Sequence, residues 1–241
     1  MIFAAGKGTR LGKLTENQPK ALVRVHNVRV LEIAIQTLVK YGFDKIIINV
    51  HHFADQVINF LEDNKRFGLD IEISDEREEL LDTGGGLKKA SWFLDGTEPF
   101  LLYNVDVLTD LDLSLLYKSH VRNGALATLA VRHRKTARYL IIDKHNKLCG
   151  WKNVETGEQI LSGNVCEEQE LVAFSGIQVV SPDIFQVLPD KTIFPIMSTY
   201  LDLARTHDIY SFEHDDSRWL DIGKPVSLKL AEELFPNLKN Y

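Results

Sequence analysis

The sequence has little of several things, and each shortage excludes a class of protein. There are only two cysteines in 241 residues, Cys149 and Cys166. They lack the spacing of a metal module or a redox motif, so free thiols in a reducing cytoplasm are expected rather than a disulfide framework. Basic residues are not in excess: 28 Lys and Arg against 34 Asp and Glu give a formal net charge of −6. Such a balance provides no field to hold a nucleic-acid backbone. Small phosphorylated ligands stay open, since they need only a local cluster of donors. No apolar run exceeds strand size, so no membrane-spanning helix and no membrane partner are expected. Internal repeats and low-complexity linkers are missing too. Met1-Ile2-Phe3-Ala4-Ala5 reads as a short strand and not as the apolar core of a leader. Because a buried strand usually has about five or six residues, the natural chain is expected to begin a few residues upstream.

What is present is a chain with 44% hydrophobic residues, enough to bury a sizeable core. Its length suits a single domain, 1–241, with a first part over 1–123 and a second over 124–241. The first part alternates strand and helix. Ile2–Ala5, Lys45–Val50, Leu69–Ser74 and Phe100–Val105 read as strands, the second a continuous β-branched run of the kind covered on both faces. Val30–Tyr41 carries Leu31, Ala34, Ile35, Leu38 and Val39 on one helical face. Ala54–Asp63, Gly85–Phe93 and Leu113–Arg122 read as further helices. That rhythm predicts crossover units on a mostly parallel sheet. The second part is β-rich over Ala125–Val180 and closes with helices at Ile193–Arg205 and Val226–Leu234. The expected fold is α/β: a Rossmann-like three-layer sandwich with a mixed, mostly parallel central sheet and a small β-rich lobe.

Five stations along the chain carry chemistry. Ala4-Ala5-Gly6-Lys7-Gly8-Thr9-Arg10 follows a strand with two glycines and two cations. Glycines let successive N–H groups converge on a phosphate, and Arg10 can grip two oxygens at once. The Walker and dinucleotide patterns do not fit, because G-K-[ST] and the third glycine are missing. Pro19-Lys20 sets a lysine behind a rigid residue. Asp82-Thr83-Gly84-Gly85-Gly86 opens a helix, where amides suit an anion or a close-packed base. Asn104-Val105-Asp106 ends a buried strand, where ligands of open α/β sheets collect. Trp219-Leu220-Asp221-Ile222-Gly223 sets a carboxylate between apolar residues, which calls for a partner such as a metal ion. His51-His52 end a strand with side chains on opposite faces, so no zinc site is expected there.

These stations, with Phe174-Ser175-Gly176-Ile177, occur in the order found in the sugar-1-phosphate nucleotidyltransferases, which the chain resembles from residue 1 to about 223. The T-G-G-G form and the Asn49–His52 strand end look most like the N-acetylmuramate-1-phosphate uridylyltransferases, with mannose-1-phosphate guanylyltransferase-like proteins close behind. The resemblance implies transfer of a nucleotidyl group from a nucleoside triphosphate to a sugar 1-phosphate, with Mg2+ as cofactor. It implies that Arg10 and the loop amides of Ala4, Ala5, Gly6, Lys7, Gly8 and Thr9 hold the β- and γ-phosphates and that Lys20 meets the α-phosphate. Asp82, Thr83, Gly84 and Asn104 would complete the nucleotide site, and Asp106 and Asp221 would hold the metal. A carboxylate facing the base would accept from uracil N3–H or guanine N1–H and repel cytosine and adenine, which favours UTP, dTTP or GTP. The alternative for Asp82 is a helix cap.

The Glu-Lys-Pro that binds the sugar phosphate in many members is absent; Cys149-Gly150-Trp151-Lys152-Asn153 stands there. Lys152 and Arg138 are the substitutes, with Ser175 and Gly176 on the strand that lines the sugar pocket in the family. The sugar stays open, and either a monomer or a homodimer is compatible with the sequence. The rivals are a non-catalytic NDP-sugar sensor, a glycosyltransferase of similar topology and a cytidylyltransferase for an alcohol phosphate. The sensor predicts loss of Arg10, Lys20, Asp106 or Asp221, and all four are present.

Overall fold

The computed structural model describes residues 1–163, 166 and 168–238. In chain order the elements are β1 (Ile2–Phe3), β2 (Arg24–Val25), β3 (Val28–Arg29), α1 (Val30–Lys40), β4 (Lys45–Val50), α2 (Ala54–Asp63) and β5 (Asp70–Asp75). Next come α3 (Asp82–Lys89), α4 (Ser91–Leu94), β6 (Phe100–Asn104), β7 (Val107–Thr109) and α5 (Leu113–Asn123). The β-rich stretch holds β8 (Ala127–Arg132), β9 (Arg138–Ile142), β10 (Leu148–Asn153), β11 (Gln159–Leu161) and β12 (Glu170–Val180). Then follow α6 (Ile184–Val187), α7 (Ile196–Leu203), β13 (Ile209–Glu213), β14 (Trp219–Asp221) and α8 (Pro225–Leu234). Among the described residues no helix is long and apolar enough to cross a membrane.

The chain forms two compact units whose segments interleave. The first comprises Met1–Leu80, Tyr103–Leu111 and the segment from Arg218 on. Its sheet runs β6-β1-β4-β5, and every pairing is parallel. Ile46, Ile47 and Ile48 are all buried, as a β-branched run covered on both faces should be. Each such side chain contributes roughly 1.5–3 kcal/mol through burial. The α1 helix buries Leu31, Ala34, Ile35 and Leu38 as its period predicts, together with Val30 and Ile33. Val39, expected on the same face, lies at its edge and is 43% exposed. β7 and β14 pair antiparallel, with Asp221 opposite Val107. That short ladder fixes the residues just after β6 beside those at the end of β14.

The second unit comprises Leu81–Leu102 and Asp112–Ser217. Its strands run β11-β10-β9-β12-β8-β13, antiparallel throughout except for β8 with β13. The α/β fold with a mixed sheet is therefore as expected: parallel pairing in the first unit, mainly antiparallel in the second. The β12–β8 register shifts between Phe174 and Gln178, and Gly176 within that bulge has φ 78°. The expectation of free thiols is overturned, because Cys149 and Cys166 form a disulfide. The β10–β11 hairpin turns the chain back, Ser162 N–H donating to the Cys149 carbonyl at 2.8 Å. Cys166 returns to within 5.9 Å of Cys149, Cα to Cα, inside the range a disulfide spans. Spacing along the chain carries no such information.

Candidate active site

The first unit gathers the opening loop with Lys20, Asp106 and Asp221. β1 stops at Phe3, and Ala4 and Ala5, both buried, donate their N–H groups to Asn49 Oδ1 at 2.7 and 3.3 Å. These two amides therefore serve the protein itself and not a ligand, a correction to their place in the expected phosphate cradle. From Gly6 to Arg10 no backbone N–H has a hydrogen-bond partner among the described residues. The loop is held instead through its carbonyls: Leu11 N–H and the Thr15 hydroxyl both donate to Gly8 O, at 2.9 and 3.0 Å. Gly8 is left-handed at φ 65°, ψ 21°. A left-handed residue inside a run of free amides is the geometry of an anion nest. Lys7 and Arg10 are exposed on this loop.

Lys20 sits on a short 3₁₀ turn that Pro19 opens, with the lysine largely buried. Its Nζ pairs with Asp106 Oδ2. Asp106 lies between β6 and β7, and its carbonyl accepts from Ile222 N–H at 3.0 Å. Asp221 Oδ1 accepts from Gly223 N–H at 2.6 Å. A Cβ placed on Gly223 would stand 2.7 Å from Asp221 Oδ1 and 2.8 Å from Arg10 Nη2, so the Arg10 guanidinium lies against this turn. Burial raises the Asp221 carboxyl above its ordinary range, and the charge of Asp106 adds to that; Lys20 and Arg10 pull the other way. Arg10, Lys20, Asp106 and Asp221 thus form one cluster in one unit. Asn104, at the end of β6, is opposite Phe3 in the register and two residues before Asp106.

Two residues of this cluster's surroundings, Asn49 and Glu76, were not among the expected site residues. Asn49 donates through Nδ2 to Glu76 Oε1 at 2.8 Å, and the residues are only 3% and 1% exposed. The signal was available: an asparagine inside Ile46-Ile47-Ile48-Asn49-Val50 must find partners when buried. The nearby His51 Nδ1 is buried without a hydrogen-bond partner, and burial, then the charges of Lys7 and His52, lower the His51 pKa.

The remaining candidates lie in the second unit. Asp82 has φ 61°, and its carboxylate accepts from the adjacent Thr83 N–H at 2.6 Å. It is the first residue of α3 and not its cap, since Leu81 stands at that position and no side chain caps the helix. Thr83 Oγ1 accepts from Ile196 N–H at 2.9 Å. The Gly84 and Gly85 amides both donate to the Phe194 carbonyl, at 2.9 and 3.2 Å. They are not available to an anion; the glycines serve a close approach of α3 to residues 192–194. Arg138 pairs with Asn153 and Lys152 with Tyr139 across the β9–β10 ladder. Facing residues share a side and neighbours alternate, so Arg138 and Lys152 stand on opposite faces. The structure does not bring these two cations together. Ser175 is fully buried, and His214 Nε2 lies 2.7 Å from its Oγ. Gly176 next to it holds the bulge.

A glycine loop with free amides, paired cations and two carboxylates at strand ends of an α/β fold defines a nucleotidyl-transfer scaffold. The family model "Nucleotidyl transferase" matches residues 1–148, and the chain belongs to that family. Among its relatives is a UTP–glucose-1-phosphate uridylyltransferase of Synechocystis sp., 29% identical over 93% of this chain. The chain spans 60% of that relative's length. An N-acetylmuramate alpha-1-phosphate uridylyltransferase of Neisseria meningitidis serogroup B is 27% identical, over 97% of this chain and 96% of the relative. The crystal structure of HddC from Yersinia pseudotuberculosis has the same fold, with a TM-score of 0.77 over 97% of both chains at 22% identity.

Proposed function

We propose that this protein transfers a nucleotidyl group from a nucleoside triphosphate, UTP in preference, to a sugar 1-phosphate and releases pyrophosphate. The observation that carries the reading is the run of unpartnered amides from Gly6 to Arg10 in the same unit as the Arg10, Lys20, Asp106 and Asp221 cluster. The names of the Synechocystis and Neisseria relatives support it. A phosphate oxygen of the sugar 1-phosphate attacks the α-phosphorus in line. The new P–O bond forms as the bond to the bridging oxygen breaks, and pyrophosphate departs. The nucleophile is already anionic, so no general base is needed. What the reaction needs is positioning of two polyanions and cationic stabilisation of the leaving charge. In this reading the amides of Gly6–Arg10 and the Arg10 guanidinium hold the β- and γ-phosphates, and Lys20 meets the α-phosphate.

Asp106 and Asp221 would hold Mg2+. The residues fit such an ion: two hard carboxylate donors are close enough for one to raise the pKa of the other, a repulsion that a divalent cation relieves. Bound there, the ion would supply positive charge to the phosphate oxygens. For the sugar phosphate, Arg138 and Lys152 are alternatives and not a pair, given their opposite faces. The Ser175 hydroxyl lies against His214 Nε2 and so serves the protein itself, which leaves the sugar to other residues.

The test is pyrophosphate release with magnesium over a matrix of nucleoside triphosphates and sugar 1-phosphates. UTP with at least one sugar 1-phosphate is expected to give turnover; no release with any pair overturns the reading. Asp106→Asn and Asp221→Asn should each lower turnover by about two orders of magnitude or more while circular dichroism stays that of the parent. Near-normal activity in both would remove the metal assignment.

A further inference from the structure

Where the sheet ladder ends, side chains continue to tie together the carboxyl ends of β1, β4 and β5. After Phe3 the chain leaves the sheet, and the Ala4 and Ala5 N–H groups would be buried donors without acceptors. Asn49, opposite Phe3 in the register, supplies one oxygen to both, at 2.7 and 3.3 Å. Its other end donates to Glu76 Oε1 at 2.8 Å. Glu76 follows directly on β5 and is tied down by its own N–H, which donates to the Val50 carbonyl at 2.8 Å. The free amides begin at the next residue, Gly6. The direction in which they point is therefore set where Asn49 grips the two residues before them.

We infer that Asn49 and Glu76 are positioning residues for the phosphate loop, acting through Ala4 and Ala5 on the amides of Gly6–Arg10. The inference rests on the reading of that loop as a triphosphate site. The chemistry of the position is narrow: it needs an acceptor for two N–H groups and a donor to a carboxylate on the same short side chain. Asparagine has both. Aspartate keeps the acceptor but turns a second carboxylate toward Glu76. Exchanging Glu76 for glutamine at the same time restores a hydrogen bond of reversed direction, the Gln N–H donating to the Asp oxygen.

The experiment measures binding of UTP and of inorganic tripolyphosphate by calorimetry to the wild type, Asn49→Asp, and Asn49→Asp with Glu76→Gln. Thermal midpoints are recorded alongside. The wild type is expected to bind both probes. Asn49→Asp should weaken both by about tenfold or more, and the double variant should recover to within about threefold of wild type. The KM for the sugar 1-phosphate should move much less than that for UTP. A purely structural pair would lower the thermal midpoint and leave affinity alone. Wild-type affinity in folded Asn49→Asp, a folded double variant that stays as weak as the single, or a wild type that binds no tripolyphosphate overturns the inference. If Asn49→Asp does not fold, the folded double variant decides by the same affinity criterion. A wild type that binds triphosphate yet releases no pyrophosphate with any substrate pair refutes the proposed reaction and leaves this inference to the binding data.

Discussion

Gly6 and Gly8 lie two residues apart and are glycine for different physical reasons. Gly8 is left-handed, and a Cβ there would press on Lys20 Cβ at 2.9 Å and Thr15 Cγ2 at 3.1 Å. Its side chain is forbidden by the protein's own backbone and packing. Around Gly6 nothing lies within 4 Å of where a Cβ would be, and its φ is not left-handed. A methyl group at Gly6 therefore costs the folded chain little, and any loss it causes must come from a ligand that approaches the backbone. Gly6→Ala is expected to keep the wild-type thermal midpoint within a degree or two, while weakening UTP by about tenfold, or about 1.4 kcal/mol. Unchanged affinity in this variant would mean that the loop amides do not converge on the triphosphate.

At the scale of elements, α3 shows how a glycine cluster can be legible as a motif and opaque as a structure. Asp82-Thr83-Gly84-Gly85-Gly86 stands out in the sequence, but its partner, Phe194, is over a hundred residues away. Both glycine amides bond the Phe194 carbonyl, and a Cβ on Gly85 would run into the Thr192 carbonyl. In an open helix, glycine to alanine stabilises by about 1 kcal/mol; here overpacking of about 1–3 kcal/mol opposes and exceeds it. Gly85→Ala should accordingly lower the urea midpoint, and a raised midpoint would refute the close packing. The same division runs through the molecule. The parallel strands and helices of the first unit were legible because hydrophobic period is local: β4 and the α1 face need only neighbours in sequence. The Asn49–Glu76 bond, the Cys149–Cys166 disulfide and the opposite faces of Arg138 and Lys152 were not, since each depends on a register or a return of the chain. Within the candidate site, Arg10, Lys20, Asp106 and Asp221 were legible because a charge among glycine, proline or apolar residues marks itself. Asn49, which holds their loop in place, carries a weaker mark: a polar residue in an apolar run says that a partner is needed, but not which one.

At the scale of the whole molecule, two histidines of the second unit give stability opposite dependences on pH. His120, on the inner face of α5 with Nδ1 3.0 Å from Thr128 Oγ1, is pushed by burial from 6.5 down to about 4. The unfolded chain then takes up a proton that the folded one refuses. Its contribution is fully present above pH 6.5 and is lost as pH falls toward 4. His133 is raised by hydrogen bonds from its ring to Asp215 and Glu170 and by their charges. Its contribution is present below 6.5 and is lost as pH rises through its folded value. The His133 cluster is partly solvent-exposed, so screening keeps its effect small, and of these two histidines His120 is the larger contributor on the acid side. The buried Met1 amine, lowered from 8.0 to about 5, acts there in the same direction. Between pH 7 and pH 5 the His120 linkage removes about 2 kcal/mol of stability. His120→Gln, which keeps a polar group for Thr128 and cannot titrate, should flatten that slope. Urea midpoints of wild type and variant at pH 7 and pH 5 decide it: the wild type should lose more than the variant, by an amount that added salt barely alters. Equal losses in both would place the acid sensitivity elsewhere, at a group such as the buried Met1 amine.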